Sequence, residues 1–125
     1  MNENRLSFAI RGALFRVYDN LGPGLLESVY EVVLAHELRK ERLEIKTQAA
    51  LPLVYENLKF DAGFRVDLLV NDKVIIEIKS VERLAEVHHK QLITYLKLSG
   101  KKLGILVNFN TDDLSTSIFR KVNGL

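Results

Sequence analysis

Asp67, Glu77 and Lys79 are the residues of this 125-residue chain whose types and spacing could do chemistry together. They lie in the stretch Phe64-Arg65-Val66-Asp67-Leu68-Leu69-Val70-Asn71-Asp72-Lys73-Val74-Ile75-Ile76-Glu77-Ile78-Lys79. Alternation with β-branched residues predicts two strands, and Asn71-Asp72-Lys73 supplies the turn. A three-residue loop pairs Val70 with Val74, Leu69 with Ile75, Asp67 with Glu77 and Arg65 with Lys79. The charged residues then share one face, and Val66, Leu68, Ile76 and Ile78 share the other. A two-residue loop would set Asp67 opposite Ile76 and mix the faces. Two carboxylates side by side repel, so a cation belongs between them, and a hard divalent ion suits an oxygen pair. Lys79, on the same face, could stabilise developing negative charge. The same short pattern also fits an exposed hairpin with a solvated charged face.

The surrounding elements must hold these groups in place. Residues 4–20 read as an amphipathic helix, with Leu6, Ile10, Leu14, Val17 and Leu21 at helical spacing. Gly22-Pro23-Gly24 stops it. A second helix is predicted over 25–42, with Leu26, Val29, Tyr30, Val33 and Leu34 inward. Glu27 falls in its first turn, where a carboxylate complements the helix dipole. Tyr30, one turn on, either braces Glu27 or fills the core. Residues 45–55 carry weak strand character broken by Pro52, with a turn at Glu56-Asn57. Leu58–Phe60 leads into the hairpin, and Gly63 allows a bulge. Ser80 is the expected N-cap of a helix over 84–98 that ends at Gly100. On that helix His88, Gln91 and Tyr95 share a face, and His88 and His89 read as surface residues that diverge. Leu103–Phe109 is nearly all apolar, as a buried parallel strand would be. Residues 115–122 lean to a closing strand.

Composition sets limits. The length predicts one domain, 1–125. A charged share of 27% is ordinary for a soluble globule. No run is long enough to cross a membrane, and Met1-Asn2-Glu3-Asn4-Arg5 lacks the build of a signal peptide. The absence of cysteine excludes disulfides, thiolate metal sites and cysteine nucleophiles. A cytoplasmic protein is expected. The net charge of +2 permits nucleic-acid binding without requiring it.

Taken together, Glu27, Asp67, Glu77, Lys79, Gln91 and Tyr95 resemble the PD-(D/E)xK nuclease superfamily. Asp67 matches its Asp, Glu77-Ile78-Lys79 its (D/E)xK, and Glu27 its helix-borne acid. Gln91-Leu92-Ile93-Thr94-Tyr95 looks like the QxxxY motif of the lambda-exonuclease and RecB-like branch. Gly24-Leu25-Leu26-Glu27-Ser28-Val29-Tyr30 is similar to the motif of the small GxxExxY proteins. The resemblance runs from about Leu21 to Asn110, and Val66 stands where the superfamily's name has proline. It implies an α/β fold with a mixed sheet and a restriction-endonuclease-like core, ordered helix, helix, three strands, helix, strand. It also implies phosphodiester hydrolysis in nucleic acid, DNA rather than RNA. Mg²⁺ or Mn²⁺ would be held by Asp67, Glu77, the carbonyl of Ile78, and Glu27 directly or through water. Lys79 would stabilise the transition state, while Gln91 and Tyr95 orient the phosphate or the metal water. Lys90, Lys97, Lys101 and Lys102 would contact the phosphate backbone. A homodimer or a protein partner would supply grip that so short a chain lacks. The alternative is a nucleic-acid-binding or protein-interaction module on the same fold with little or no turnover.

Overall fold

The computed structural model describes residues 1–60 and 64–125; the expected Gly63 bulge lies outside them. Helix α1 (Glu3–Leu21) begins at Asn2, whose side-chain oxygen accepts the Arg5 amide at 2.9 Å. It ends at Gly22, whose φ of 71° suits glycine. Its buried stripe is Leu6, Ile10, Ala13, Leu14 and Val17, close to the predicted spacing. Helix α2 is shorter than expected, Glu27–Lys40, and buries Tyr30, Leu34, Ala35, Glu37 and Leu38. Leu26 and Val29, predicted to face inward, are exposed, Leu26 by 74%. They line a shallow surface depression together with Gly24, Leu25, Ser80 and Asn110.

Strands β1 (Ile45–Ala50), β4 (Arg65–Val70), β5 (Val74–Lys79), β6 (Leu103–Asn108) and β7 (Ile118–Val122) form one sheet in the order β1-β4-β5-β6-β7. Between β1 and β4, β2 (Leu53–Tyr55) and β3 (Leu58–Phe60) make a separate small hairpin. Leu58–Phe60 is therefore more than a lead-in. Helix α3 (Glu86–Ser99) connects β5 to β6, which run parallel. All other neighbours in the large sheet are antiparallel. The closing strand is present, preceded by a 3₁₀ turn at Leu114–Thr116.

The alternation of side chains sends the two faces of the sheet to two cores. Leu68, Val70, Val74, Ile76, Ile78, Ile105 and Val107 pack against α1 and α2. Leu69, Ile75 and Leu106 pack against Leu92 and Leu96 of α3. Gly104 lies under Leu92, where a Cβ would come within 2.8 Å of it. Val66 departs from the expected pattern, joining Ala49 and Leu51 in the α3-side core. The pleat is interrupted beside it by Gln48, which has a left-handed φ of 47°.

The β4–β5 register is the three-residue one, with Val70 opposite Val74, Leu69 opposite Ile75 and Leu68 opposite Ile76. Asn71 and Asp72 both take positive φ in the turn. The ladder stops there, one step before Asp67 and Glu77 would pair.

Candidate active site

The strands part where the ladder stops, and the parting creates the site. Asp67 takes the place of a ladder partner: its Oδ2 accepts the Ile78 amide at 2.7 Å. Its Oδ1 accepts Gln48 Nε2 at 3.3 Å. Gln48 Nε2 also donates to Glu31 Oε2 of α2 at 2.9 Å.

Glu77, on the next strand, is largely enclosed, and its Oε1 is buried with no hydrogen-bond partner among the described residues. Burial pushes its carboxyl up to about 8. The Asp67 charge adds to the rise, while Lys79 and the Asp67 amide oppose it. Asp67 is also raised by burial, against the lowering influence of the Ile78 amide, Gln48 and Lys79. Glu27 raises it further. Lys79 thus sits close enough to bias both carboxylates. Its ammonium forms no ion pair among the described residues, so it is free to meet an anion.

Glu27 is brought in from the other direction. Its Oε2 accepts the Ser80 amide at 2.9 Å, and Ser80 Oγ donates to the Leu25 carbonyl at 2.6 Å. Ser80 is therefore not the N-cap of α3; that helix starts later, with Ala85 as cap and His88 Nδ1 accepting the Ala85 amide at 3.1 Å. Ser80 instead ties the end of β5 to the start of α2. Tyr30 does not brace Glu27. Its hydroxyl donates to the Gly22 carbonyl at 2.6 Å and accepts the Leu25 amide at 3.1 Å. Its ring stacks on Phe109 at 4.3 Å. It clamps the turn that presents Glu27, a turn in which Gly24 has φ of 91°. After β5 the chain is held by Asn108, whose side chain bonds both the amide and the carbonyl of Val81.

Tyr95 faces the site from α3. It is raised by burial and then by the Glu77 charge, and its ring meets Phe64 edge-on at 5.0 Å. Gln91 is exposed one turn earlier on the same helix. His88 and His89 are half-buried rather than surface residues, and His89 packs edge-on against Phe119. Lys90 is exposed near the start of α3 and Lys97 near its end. Lys101 bonds Asp72 in the β4–β5 turn, with its Nζ 3.2 Å from the carboxylate. That turn and the adjacent Lys102 lie at the opposite end of β5 from the site, roughly 13 Å of strand away.

The structure therefore gathers Glu27, Asp67, Glu77, Lys79 and Tyr95 at one end of the sheet. A family model of the PD-(D/E)XK nuclease superfamily matches residues 4–121. The chain belongs to that superfamily. A search of curated proteins and a search of solved structures each found no match. PD-(D/E)XK proteins are generally hydrolytic nucleases acting on nucleic acid, and they typically use divalent metal ions.

The residues of this PD-(D/E)XK chain fit such an ion. No group of three His, Asp or Glu side chains forms a metal cage among the described residues. A buried carboxylate oxygen without a partner, facing a second carboxylate, is instead what an ion held by few protein ligands requires. Small hard cations commonly take one or two carboxylates and keep water or phosphate on their other positions. No helix among the described residues is long and apolar enough to cross a membrane.

Glu31 and Gln48 were not expected at the site. The spacing of Glu31, four residues after Glu27, places it on the same helix face, and this was the available signal. Gln48, in a weakly patterned strand, gave none.

Proposed function

We propose that this protein is a metal-dependent nuclease that hydrolyses phosphodiester bonds, in DNA rather than RNA. The observation that carries the reading is the buried Glu77 oxygen set against Asp67, with Lys79 at the same strand end, neither of them partnered among the described residues. Asp67, Glu77 and the carbonyl of Ile78 would hold Mg²⁺ or Mn²⁺, with Glu27 acting directly or through water. The bound ion supplies an activated water and neutralises charge on the scissile phosphate.

The chain's own residues do the rest. The Ile78 amide fixes Asp67, and Ser80 fixes Glu27. Lys79 places its ammonium where negative charge grows on the phosphoryl oxygens, in a site where partial burial strengthens the interaction. The Tyr95 hydroxyl and the Gln91 amide orient the phosphate from α3. Lys90, Lys97, Lys101 and Lys102 would hold parts of the phosphate backbone beyond the site.

The clamp made by Tyr30 across Gly22–Leu25 gives a physical reason for the spacing Gly24, Glu27, Tyr30. It supports placing the chain with the small GxxExxY proteins. The approach of Tyr95 to Glu77 supports the lambda-exonuclease and RecB-like branch.

The test is cleavage of linear and circular DNA, single strands, a branched junction and RNA, each with Mg²⁺, Mn²⁺ or chelator. Metal-dependent cutting by the native chain that Lys79→Ala loses supports the reading and identifies the substrate class. No cutting of any substrate, with Mn²⁺ still bound, overturns it in favour of a binding module.

A further inference from the structure

Gln48 has a backbone conformation that its place in the sheet does not explain. Its φ is 47°, inside β1. The other described non-glycine residues with positive φ are Arg42, Glu56, Asn71 and Asp72, and all four lie in turns. An L-residue with a side chain is disfavoured in the left-handed region. Such a conformation persists in a strand only where the surroundings enforce it, and it gathers at functional sites.

The consequence of the distortion is visible. Thr47 pairs with Leu68 and Ala49 with Val66, which puts Gln48 across from Asp67. From there its single amide nitrogen donates to Asp67 Oδ1 and to Glu31 Oε2. The other Asp67 oxygen is taken by Ile78. The carboxylate is thus held from both sides, and Glu31 anchors the residue that holds it.

We propose that Gln48 is a positioning residue, whose amide sets the angle at which Asp67 meets a cation shared with Glu77. This rests on the reading of Asp67 and Glu77 as a metal pair. The residue type follows from the task. A lysine or arginine in this place would hold Asp67 but compete with the cation for its charge. A glycine would relieve the backbone but supply no donor. An amide orients a carboxylate and leaves its charge intact. Groups that orient metal ligands from behind commonly matter by about 10–100-fold in affinity or activity.

The experiment compares the native chain with Gln48→Gly and Gln48→Ala. Mn²⁺ affinity is measured by calorimetry, unfolding temperature by circular dichroism, and kcat and KM on whichever substrate the native chain cuts. Glycine relieves the left-handed backbone while removing the amide, so Gln48→Gly should unfold no earlier than the native chain and later than Gln48→Ala. Both variants should bind Mn²⁺ about 10–100-fold more weakly, and kcat should fall more than KM changes. Native Mn²⁺ affinity in Gln48→Gly would overturn the proposal. So would weakened binding confined to Gln48→Ala and matched by its loss of stability, which would make Gln48 a structural residue only. If the native chain binds Mn²⁺ but cuts nothing, the nuclease reading fails while the affinities still judge Gln48. If it binds no Mn²⁺, both fail.

Discussion

Replacing Glu77 by Gln should make the metal-free protein more stable at high pH, and by a margin that grows with pH. Burial and the neighbouring Asp67 charge raise the Glu77 carboxyl from 4.5 to about 8 in the folded chain. The folded state therefore keeps a proton that the unfolded chain releases near pH 4.5. For a group raised on folding, the stabilisation is complete below the unfolded value and is lost as pH climbs through the folded one. The window here runs from about pH 4.5 to about pH 8. At about 1.4 kcal/mol per pH unit, the full swing is roughly 5 kcal/mol. That is a large part of the roughly 5–15 kcal/mol that holds an ordinary domain together. Asp67 and Glu31, also raised by burial, act with the same sign, so the comparison with the variant, rather than the native pH profile alone, isolates Glu77. Glu37, held low by Lys40 and Arg16, acts below pH 4.5. His89, lowered by burial and by Lys121, adds stability as pH rises through 6.5, the opposite sign.

Urea denaturation of both chains in chelator, from about pH 5 to pH 9, isolates the Glu77 contribution as the difference between them. The two should be close near pH 5, and the variant should lead by several kcal/mol above pH 8, on the scale of ~1.4 kcal/mol per pH unit. Adding Mn²⁺ at pH 8 should raise the native midpoint and leave that of the variant where it was. A difference that does not change with pH would refute the placement of Glu77 as a buried, proton-holding carboxyl.

Lys79→Ala should keep its fold and lose about 10²–10³-fold in cleavage rate, read by circular dichroism and a timed digest. Tyr30→Phe strips the hydroxyl that the Gly22 carbonyl and Leu25 amide share; urea titration should show a loss of about 1–3 kcal/mol. Because Leu25 is where Ser80 docks, its cleavage rate should fall as well. Gly104→Ala would push a methyl against the buried Leu92; it should cost about 1–3 kcal/mol in the same titration while leaving Mn²⁺ affinity at the native value.

Much of this arrangement is written locally in the sequence. The alternation from Phe64 to Lys79 allows one register that separates charge from apolar surface, and the observed ladder follows it from Val70–Val74 to Leu68–Ile76. The unbroken apolar run after Leu103 is buried throughout β6. What the pattern hides is tertiary. A serine followed by a helix reads as a cap, yet Ser80 spends its hydrogen bonds on Leu25 and Glu27, more than fifty residues earlier in the chain. Leu26 and Val29 have helical spacing, yet both stay exposed. Tyr30 is apolar enough for the core and polar enough for a site; its depth decided in favour of both packing and the turn clamp. Gln48 and Glu31 look like ordinary surface residues until β1 lies beside β4, because their roles exist only across strands and between a strand and a helix.

The most direct test of the central claim is Mn²⁺ binding and DNA cleavage measured side by side on the native chain, Lys79→Ala and Asp67→Asn. The native chain should bind the ion and cut. Lys79→Ala should bind with near-native affinity and fail to cut, and Asp67→Asn should do neither. Cutting by Lys79→Ala at the native rate, or undiminished Mn²⁺ binding by Asp67→Asn, would contradict the account.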